Sequence, residues 1–109
     1  MPRTKKSITP QELKEKITLR EPLTLLDVRE PEEFEICHID GSILTPFSEI
    51  SDHLPDFNKD EEYVVICKQG SRSEEALKLM KKKGFANLKN LDGGIMKWAK
   101  DIERTMELY

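Results

Sequence analysis

The sequence predicts an α/β domain built on a mostly parallel sheet with helices on both faces. Three observations predict it. Short apolar runs with strand propensity alternate with segments of helical pattern along the whole chain. The connections between them are short, as between neighbouring elements of one layered unit. The chain has 109 residues, which is room for one core and no second domain.

Taken in order, Met1 to Lys6 is basic, polar and aperiodic, and reads as a loose tail ahead of a domain spanning 7–109. Thr9-Pro10-Gln11-Glu12 has the form of a capping box with proline at the first helical position, which predicts a helix to about Ile17. Leu23 to Val28 reads as a buried strand. Pro31 to Ile36 reads as a short helix that turns Phe34 and Ile36 inward. Ser42 to Thr45 is a brief strand, and Thr45-Pro46 repeats the cap-then-proline pattern, predicting a helix from Pro46 to about Ser51. Tyr63-Val64-Val65-Ile66 is the central strand. Ser71 and Glu74 suit a second capping box, ahead of an apolar stripe of Ala76, Leu77, Leu79 and Met80. Lys81, Lys82 and Lys83 suit the last turn, which Gly84 ends. Asn87 to Leu91 is a strand, and Gly94 to about Ile102 a final helix carrying Trp98. This reading gives four strands.

Composition narrows the function. Net charge is −3 with both signs interspersed, which gives no electrostatic footprint for nucleic acid or polyphosphate. No apolar run reaches the length of a membrane span or a signal-peptide core. Two cysteines and two histidines without close pairing make no zinc site and suit a reducing compartment better than a disulfide scaffold. No cofactor or metal is expected, and the cytoplasm is the expected location.

The stretch with chemical content is Cys67-Lys68-Gln69-Gly70-Ser71-Arg72. It lies between the central strand and the next helix. The carboxyl ends of strands are where open α/β sheets hold ligands, and a helix amino terminus stabilises an anion through unpaired N–H groups. A thiol gains from this place by becoming a thiolate, so Cys67 is expected to have a lowered pKa and to stand open to solvent. Gly70 lets the backbone turn inward. Lys68 and Arg72 are positive groups suited to an anionic donor or an acceptor carboxylate.

Four segments appear in order at suitable intervals. They are Leu25-Leu26-Asp27-Val28-Arg29-Glu30, His38-Ile39-Asp40-Gly41-Ser42, Val64 through Ser73, and Asn90-Leu91-Asp92-Gly93-Gly94-Ile95 with Trp98. Together they resemble a rhodanese-like sulfurtransferase domain, from about Ile8 to Tyr109. Phe34-Glu35-Ile36-Cys37 and Gly94-Ile95-Met96-Lys97-Trp98-Ala99 with Leu108-Tyr109 narrow the likeness. They resemble the rhodanese domain at the carboxyl end of adenylyltransferase–sulfurtransferase proteins of molybdopterin and thiamin synthesis. A free-standing relative and an excised domain both fit. Cys37 and Ser42 stand where the broad family often has glycine and alanine. Glu74 and Glu75 stand where many relatives carry small or basic residues, which would weaken a dianionic donor.

The resemblance implies a sheet of about five strands and an enzyme of the sulfurtransferase class. Cys67 would be the catalytic nucleophile, and Lys68, Gln69, Gly70, Ser71 and Arg72 would bind substrate through inward-facing amides. The thiolate would take the outer sulfur of thiosulfate or of a protein persulfide, become a persulfide, and pass that sulfur to an acceptor. Partners implied are a ubiquitin-like sulfur carrier or an adenylyltransferase domain. Two other readings remain open: a partner-binding module without chemistry, and a cysteine phosphatase or arsenate reductase. Cysteine phosphatases have five residues between cysteine and arginine, whereas four separate Cys67 from Arg72.

Outside the loop the plainer readings are structural. Cys37 is a core thiol, with a resolving thiol or persulfide relay as the alternative. His38 is a hydrogen-bonding residue at a helix end. Asp27 and Arg29 are an ion pair at the sheet edge, Trp98 is core or pocket rim, and Lys81 to Lys83 are a solvated helix end.

Overall fold

A computed structural model describes residues 7–69 and 72–108. The Met1 to Lys6 tail, Gly70 and Ser71 therefore lie outside the described residues, as does the Ser71 half of the second capping box. Among the described residues, five strands form one parallel sheet: β1 (Ser7–Ile8), β2 (Thr24–Asp27), β3 (Ile43–Leu44), β4 (Tyr63–Ile66) and β5 (Leu88–Leu91). Their order is β1-β5-β4-β2-β3. Five strands is the expected number; the one to which the element-by-element reading assigns no segment is β1. It is two residues long, too short to carry a periodic signal, and exists because Ser7 and Ile8 pair with Asn90 and Leu91.

Among the described residues four α-helices connect the strands and a fifth follows β5: α1 (Pro10–Thr18), α2 (Pro31–Ile36), α3 (Ile50–His53), α4 (Arg72–Lys82) and α5 (Gly94–Asp101). The α1 capping box forms as expected: the Glu12 amide donates to Thr9 Oγ1 at 3.1 Å and the Thr9 amide to Glu12 Oε1 at 2.9 Å. The Thr45-Pro46 expectation fails. Thr45 Oγ1 donates back to the Ile43 carbonyl at 3.3 Å, and the segment begins as a 3-10 turn at Phe47–Glu49 before α3. Ile36 is also not inward; it is 40% exposed. No helix is long and apolar enough to cross a membrane, among the described residues.

Strand alternation sorts the core into two layers. Leu25, Val64, Ile66 and Leu91 pack with Leu13, Cys37, Ile39, Ile95 and Trp98 on the α1/α5 side. Leu26, Val28, Val65 and Cys67 pack with Ile50, Leu54, Ala76, Met80 and Phe85 on the α3/α4 side. Tyr63 opens β4 within this second layer, where burial lifts its phenol above the ordinary 10.0. Its hydroxyl donates to the Asn58 carbonyl at 2.7 Å.

The topology selects one place for a site. From β2 the chain moves outward to β3, then crosses back to β4 on the other side of β2 and proceeds outward to β5. Connections leaving β2 and β4 therefore diverge, opening a crevice at the carboxyl ends of these two strands.

Candidate active site

Cys67 comes directly after β4 at that switch point, as the sequence reading places it. β4 is wholly apolar and buried, which fixes the end of the strand and with it the start of the loop. The amino end of α4 stands beyond the loop, at Arg72. Lys68 is half-buried and Gln69 exposed at the start of the loop. The expectation of a solvent-open sulfur is not met: Cys67 is only 1% exposed. The reason is its side-chain direction. Alternation from β4 sends Cys67 into the α3/α4 layer with Val65 and Ala76, rather than out of the sheet edge.

Two elements outside the loop hold it, and sequence reasoning assigns this role to neither. The first is the start of α5. The Ile95 amide donates to the Cys67 carbonyl at 2.8 Å, and the Met96 amide to the Lys68 carbonyl at 3.1 Å. Such an approach requires Gly94. Its φ is +63°, and a Cβ there would lie 2.5 Å from both the Cys67 and the Lys68 carbonyl oxygens. The Gly93-Gly94 pair is the available signal. In the sequence it stands out as part of a family pattern and not as the backbone contact it makes.

The second element is Ser73, fully buried in the first turn of α4. The Cys67 thiol donates to Ser73 Oγ at 3.4 Å, and the Ser73 hydroxyl donates to Asn90 Oδ1 on β5. A buried hydroxyl without partners would cost about 1–3 kcal/mol, so its place here depends on these bonds. The sequence signal is faint: a serine just after the loop arginine, and an asparagine just before Leu91.

Arg72 reaches across the crevice. Its Nη1 and Nη2 donate to Glu33 Oε1 and Oε2 of α2 at 3.3 and 3.2 Å. The expected donor-attracting guanidinium is therefore already paired with a carboxylate. Glu33 also closes the α2 capping box, accepting from the Glu30 amide at 2.9 Å. Glu74 and Glu75 stand exposed in the first turn of α4, adding negative charge near the loop.

The neighbouring strand end is built differently. Arg29 and Asp27 are both 0% exposed. Arg29 Nε donates to Asp27 Oδ1 at 2.8 Å, and Nη2 to Asp27 Oδ2 at 2.7 Å. Nη2 also bonds the Cys37 carbonyl at 2.6 Å, and Nη1 approaches Cys37 Sγ at 4.0 Å. His38 Nδ1 lies 2.9 Å from the Phe34 carbonyl, and its ring stacks on Phe34 at 3.9 Å between centroids. Asp27 and Arg29 thus form the expected ion pair, and His38 the expected hydrogen bond at a helix end. Trp98 is core, and its Nε1 donates to Glu103 Oε1 at 2.9 Å.

Compared with known proteins, residues 9–101 match the family model for the rhodanese-like domain. The chain belongs to the rhodanese-like domain family. It is 43% identical over 105 residues to MoeZ of Mycobacterium tuberculosis, named a probable adenylyltransferase/sulfurtransferase; the match covers 94% of this chain and 27% of that protein. It is 39% identical to YtwF of Bacillus subtilis, whose name proposes a sulfurtransferase, across 85% of this chain and 89% of YtwF. Among solved structures, SSP1007 of Staphylococcus saprophyticus superposes with a TM-score of 0.81 at 36% identity, covering 89% of this chain and 96% of that one. The chain thus spans about a quarter of the length of the fused relatives such as MoeZ and most of the compact ones. Relatives of this rhodanese domain carry sulfurtransferase names, which supports a sulfurtransferase role.

Proposed function

We propose that this rhodanese domain moves sulfane sulfur through a persulfide on Cys67. The observation that carries the reading is the position of Cys67 at the carboxyl end of β4, on the switch-point crevice, one short loop before α4. In the first half-reaction the Cys67 thiolate attacks the outer sulfur of the donor. With thiosulfate, a new S–S bond forms at Cys67, the donor's S–S bond breaks, and sulfite leaves with the electron pair. An acceptor nucleophile then attacks the terminal sulfur, and the Cys67 thiolate leaves. This is a two-step covalent exchange. By the family resemblance, the amides of Lys68 to Arg72, with the amino end of α4, would supply the positive potential that favours sulfur anions.

Thiosulfate serves as a small donor, and a protein persulfide is the larger alternative. A ubiquitin-like sulfur carrier or an adenylyltransferase domain would be the macromolecular partner, by analogy with the fused relatives. We place the reaction in the cytoplasm; both cysteines are free thiols, and sulfur transfer needs Cys67 reduced.

One observation favours a second reading, a docking module without chemistry: a thiol that is 1% exposed is shielded from donors. A thiosulfate:cyanide assay with Cys67→Ser as control separates the two. Turnover by the native protein and none by the variant supports sulfur transfer. No turnover with either thiosulfate or a glutathione persulfide donor supports docking.

A further inference from the structure

Charges of both signs are mixed along most of the chain, but one stretch breaks the pattern. Residues 30–58 hold eight Asp and Glu and no Lys or Arg, where an even spread of the chain's 18 Lys and Arg would put about five. Seven of these eight carboxylates stand exposed, and the eighth, Glu33, holds Arg72. The same stretch carries Ile36, Ile43 and Phe47, which are 40%, 45% and 41% exposed. They are three of the five large apolar side chains exposed among the described residues. The stretch folds as α2, β3 and α3, along the edge of the sheet that β3 closes. Edge strands are commonly guarded by lysine, whereas β3 carries only Ile43 and Leu44. This edge borders the crevice at two points. Arg72 spans from the start of α4 to Glu33 on α2 at 3.2 Å. The Phe47 amide donates to the Val28 carbonyl at 3.1 Å, and the Val28 amide to the Ile66 carbonyl at 2.9 Å. One strand therefore separates Phe47 from the strand that leads into Cys67.

We propose that the α2–β3–α3 edge docks a protein with a basic, apolar-centred face, and that this protein exchanges sulfur with Cys67. The occupant follows from charge. Carboxylates around apolar side chains complement Lys and Arg around a like apolar patch, and they steer such a partner to the crevice. The same charge repels nucleic-acid phosphates and anionic lipid headgroups. Apolar contact at Phe47 and Ile43 gives the complex its lifetime, while the carboxylates set the approach. In the exchange, the Cys67 thiolate attacks the terminal sulfur of the partner's persulfide. A new S–S bond forms as the partner's breaks, and the partner leaves as a thiolate. The reverse step loads the partner. The exchange rests on the reading of Cys67 as the nucleophile; the docking follows from charge and exposure alone.

The test is an amide NMR titration with short synthetic peptides in which lysine alternates with leucine, lysine with serine, or glutamate with leucine. The lysine–leucine peptide should shift amides within residues 30–58 and bind about tenfold tighter at low salt than at high salt. The lysine–serine peptide should bind the same place about fivefold more weakly, and the glutamate–leucine peptide should not bind. Phe47→Ser should cost the lysine–leucine peptide about fivefold and the lysine–serine peptide little. Asp52→Lys should weaken both lysine peptides, whereas Glu15→Lys, the same charge change on exposed α1, should weaken both far less. Urea midpoints verify that each variant folds. No binding of the lysine–leucine peptide, shifts gathered outside residues 30–58, or equal weakening by Asp52→Lys and Glu15→Lys would overturn the docking face. Concentration-dependent shifts of the same amides without peptide, abolished by Asp52→Lys, would assign the edge to a second copy of this chain and overturn it too. Peptide binding needs no sulfur chemistry, so the two readings fail separately. A protein that docks the peptide but never gains sulfur keeps the docking face and sinks the sulfur-transfer reading, and sulfur gained without peptide docking does the reverse.

Discussion

The two cysteines sit on opposite faces of one sheet, both buried, and their surroundings divide them. Cys37 is 7% exposed in the α1/α5 layer, and Cys67 is 1% exposed in the α3/α4 layer. Both have a pinned carbonyl: Arg29 holds that of Cys37 at 2.6 Å and the Ile95 amide that of Cys67 at 2.8 Å. Burial and backbone restraint therefore do not distinguish the two thiols. The local chain and the side-chain partner make the difference. Cys37 ends a short helix against an arginine already committed to Asp27. Cys67 directly follows β4 and precedes the eleven-residue helix α4, and its sulfur bonds the Ser73 hydroxyl. A guanidinium stands against the sulfur of Cys37, and a hydroxyl against that of Cys67.

The comparison breaks most sharply by exchanging the two thiols' fates. Cys67→Ser should reduce sulfur transfer to background while leaving the urea midpoint nearly unchanged. Cys37→Ser should retain most of the transfer and lose stability instead. Steady-state turnover beside denaturation curves checks both, and equal losses of activity would remove the distinction. Arg29→Ala comes next. It strands the Asp27 carboxylate in the core, and breaking a buried ion pair costs about 3–5 kcal/mol. Thermal denaturation should show a severe drop in midpoint, whereas a shift of a degree or two would mean that the clamp is dispensable.

Gly94→Ala tests the pin on the other side. The added methyl would meet two carbonyl oxygens at 2.5 Å, and a strained backbone of this kind costs on the order of 1–3 kcal/mol. Sulfur transfer should fall further than stability alone explains, because the displaced atoms belong to Cys67 and Lys68. Activity that merely tracks the folded fraction would argue that α5 does not position the loop.

Arg29 and Cys67 show how much is legible in the chain alone. The strand–loop–helix around Cys67, the Thr9 capping box and the Asp27–Arg29 pair can be read because each is local: a few neighbouring residues carry the whole signal. Ser73–Asn90 and Gly94–Cys67 cannot, because they join residues 17 or more positions apart through a register that only the assembled sheet defines. The burial of Cys67 escapes for a related reason. Its side-chain direction is set by the parity of β4, and the sequence reading weighs the loop and not the strand's alternation.

The gentlest effect concerns the Arg72–Glu33 pair. It is a partly exposed ion pair, with side-chain exposures of 43% and 18%, and such pairs contribute at most about 1 kcal/mol. Glu33→Gln should therefore cost little stability while releasing the guanidinium toward the crevice. Capture of dianionic thiosulfate should rise a few-fold, and that of an uncharged persulfide donor should stay level. Arg72→Ala should weaken the dianion more than the uncharged donor. Initial rates with the two donors check this, and parallel changes for both would make Arg72 a structural residue only.

The most direct measurement is peptide mass mapping of the native protein after brief treatment with a sulfane-sulfur donor. The account predicts one added sulfur atom on the Cys67 peptide, none on the Cys37 peptide, and its removal by cyanide. Sulfur found on Cys37, or on neither thiol, would contradict it.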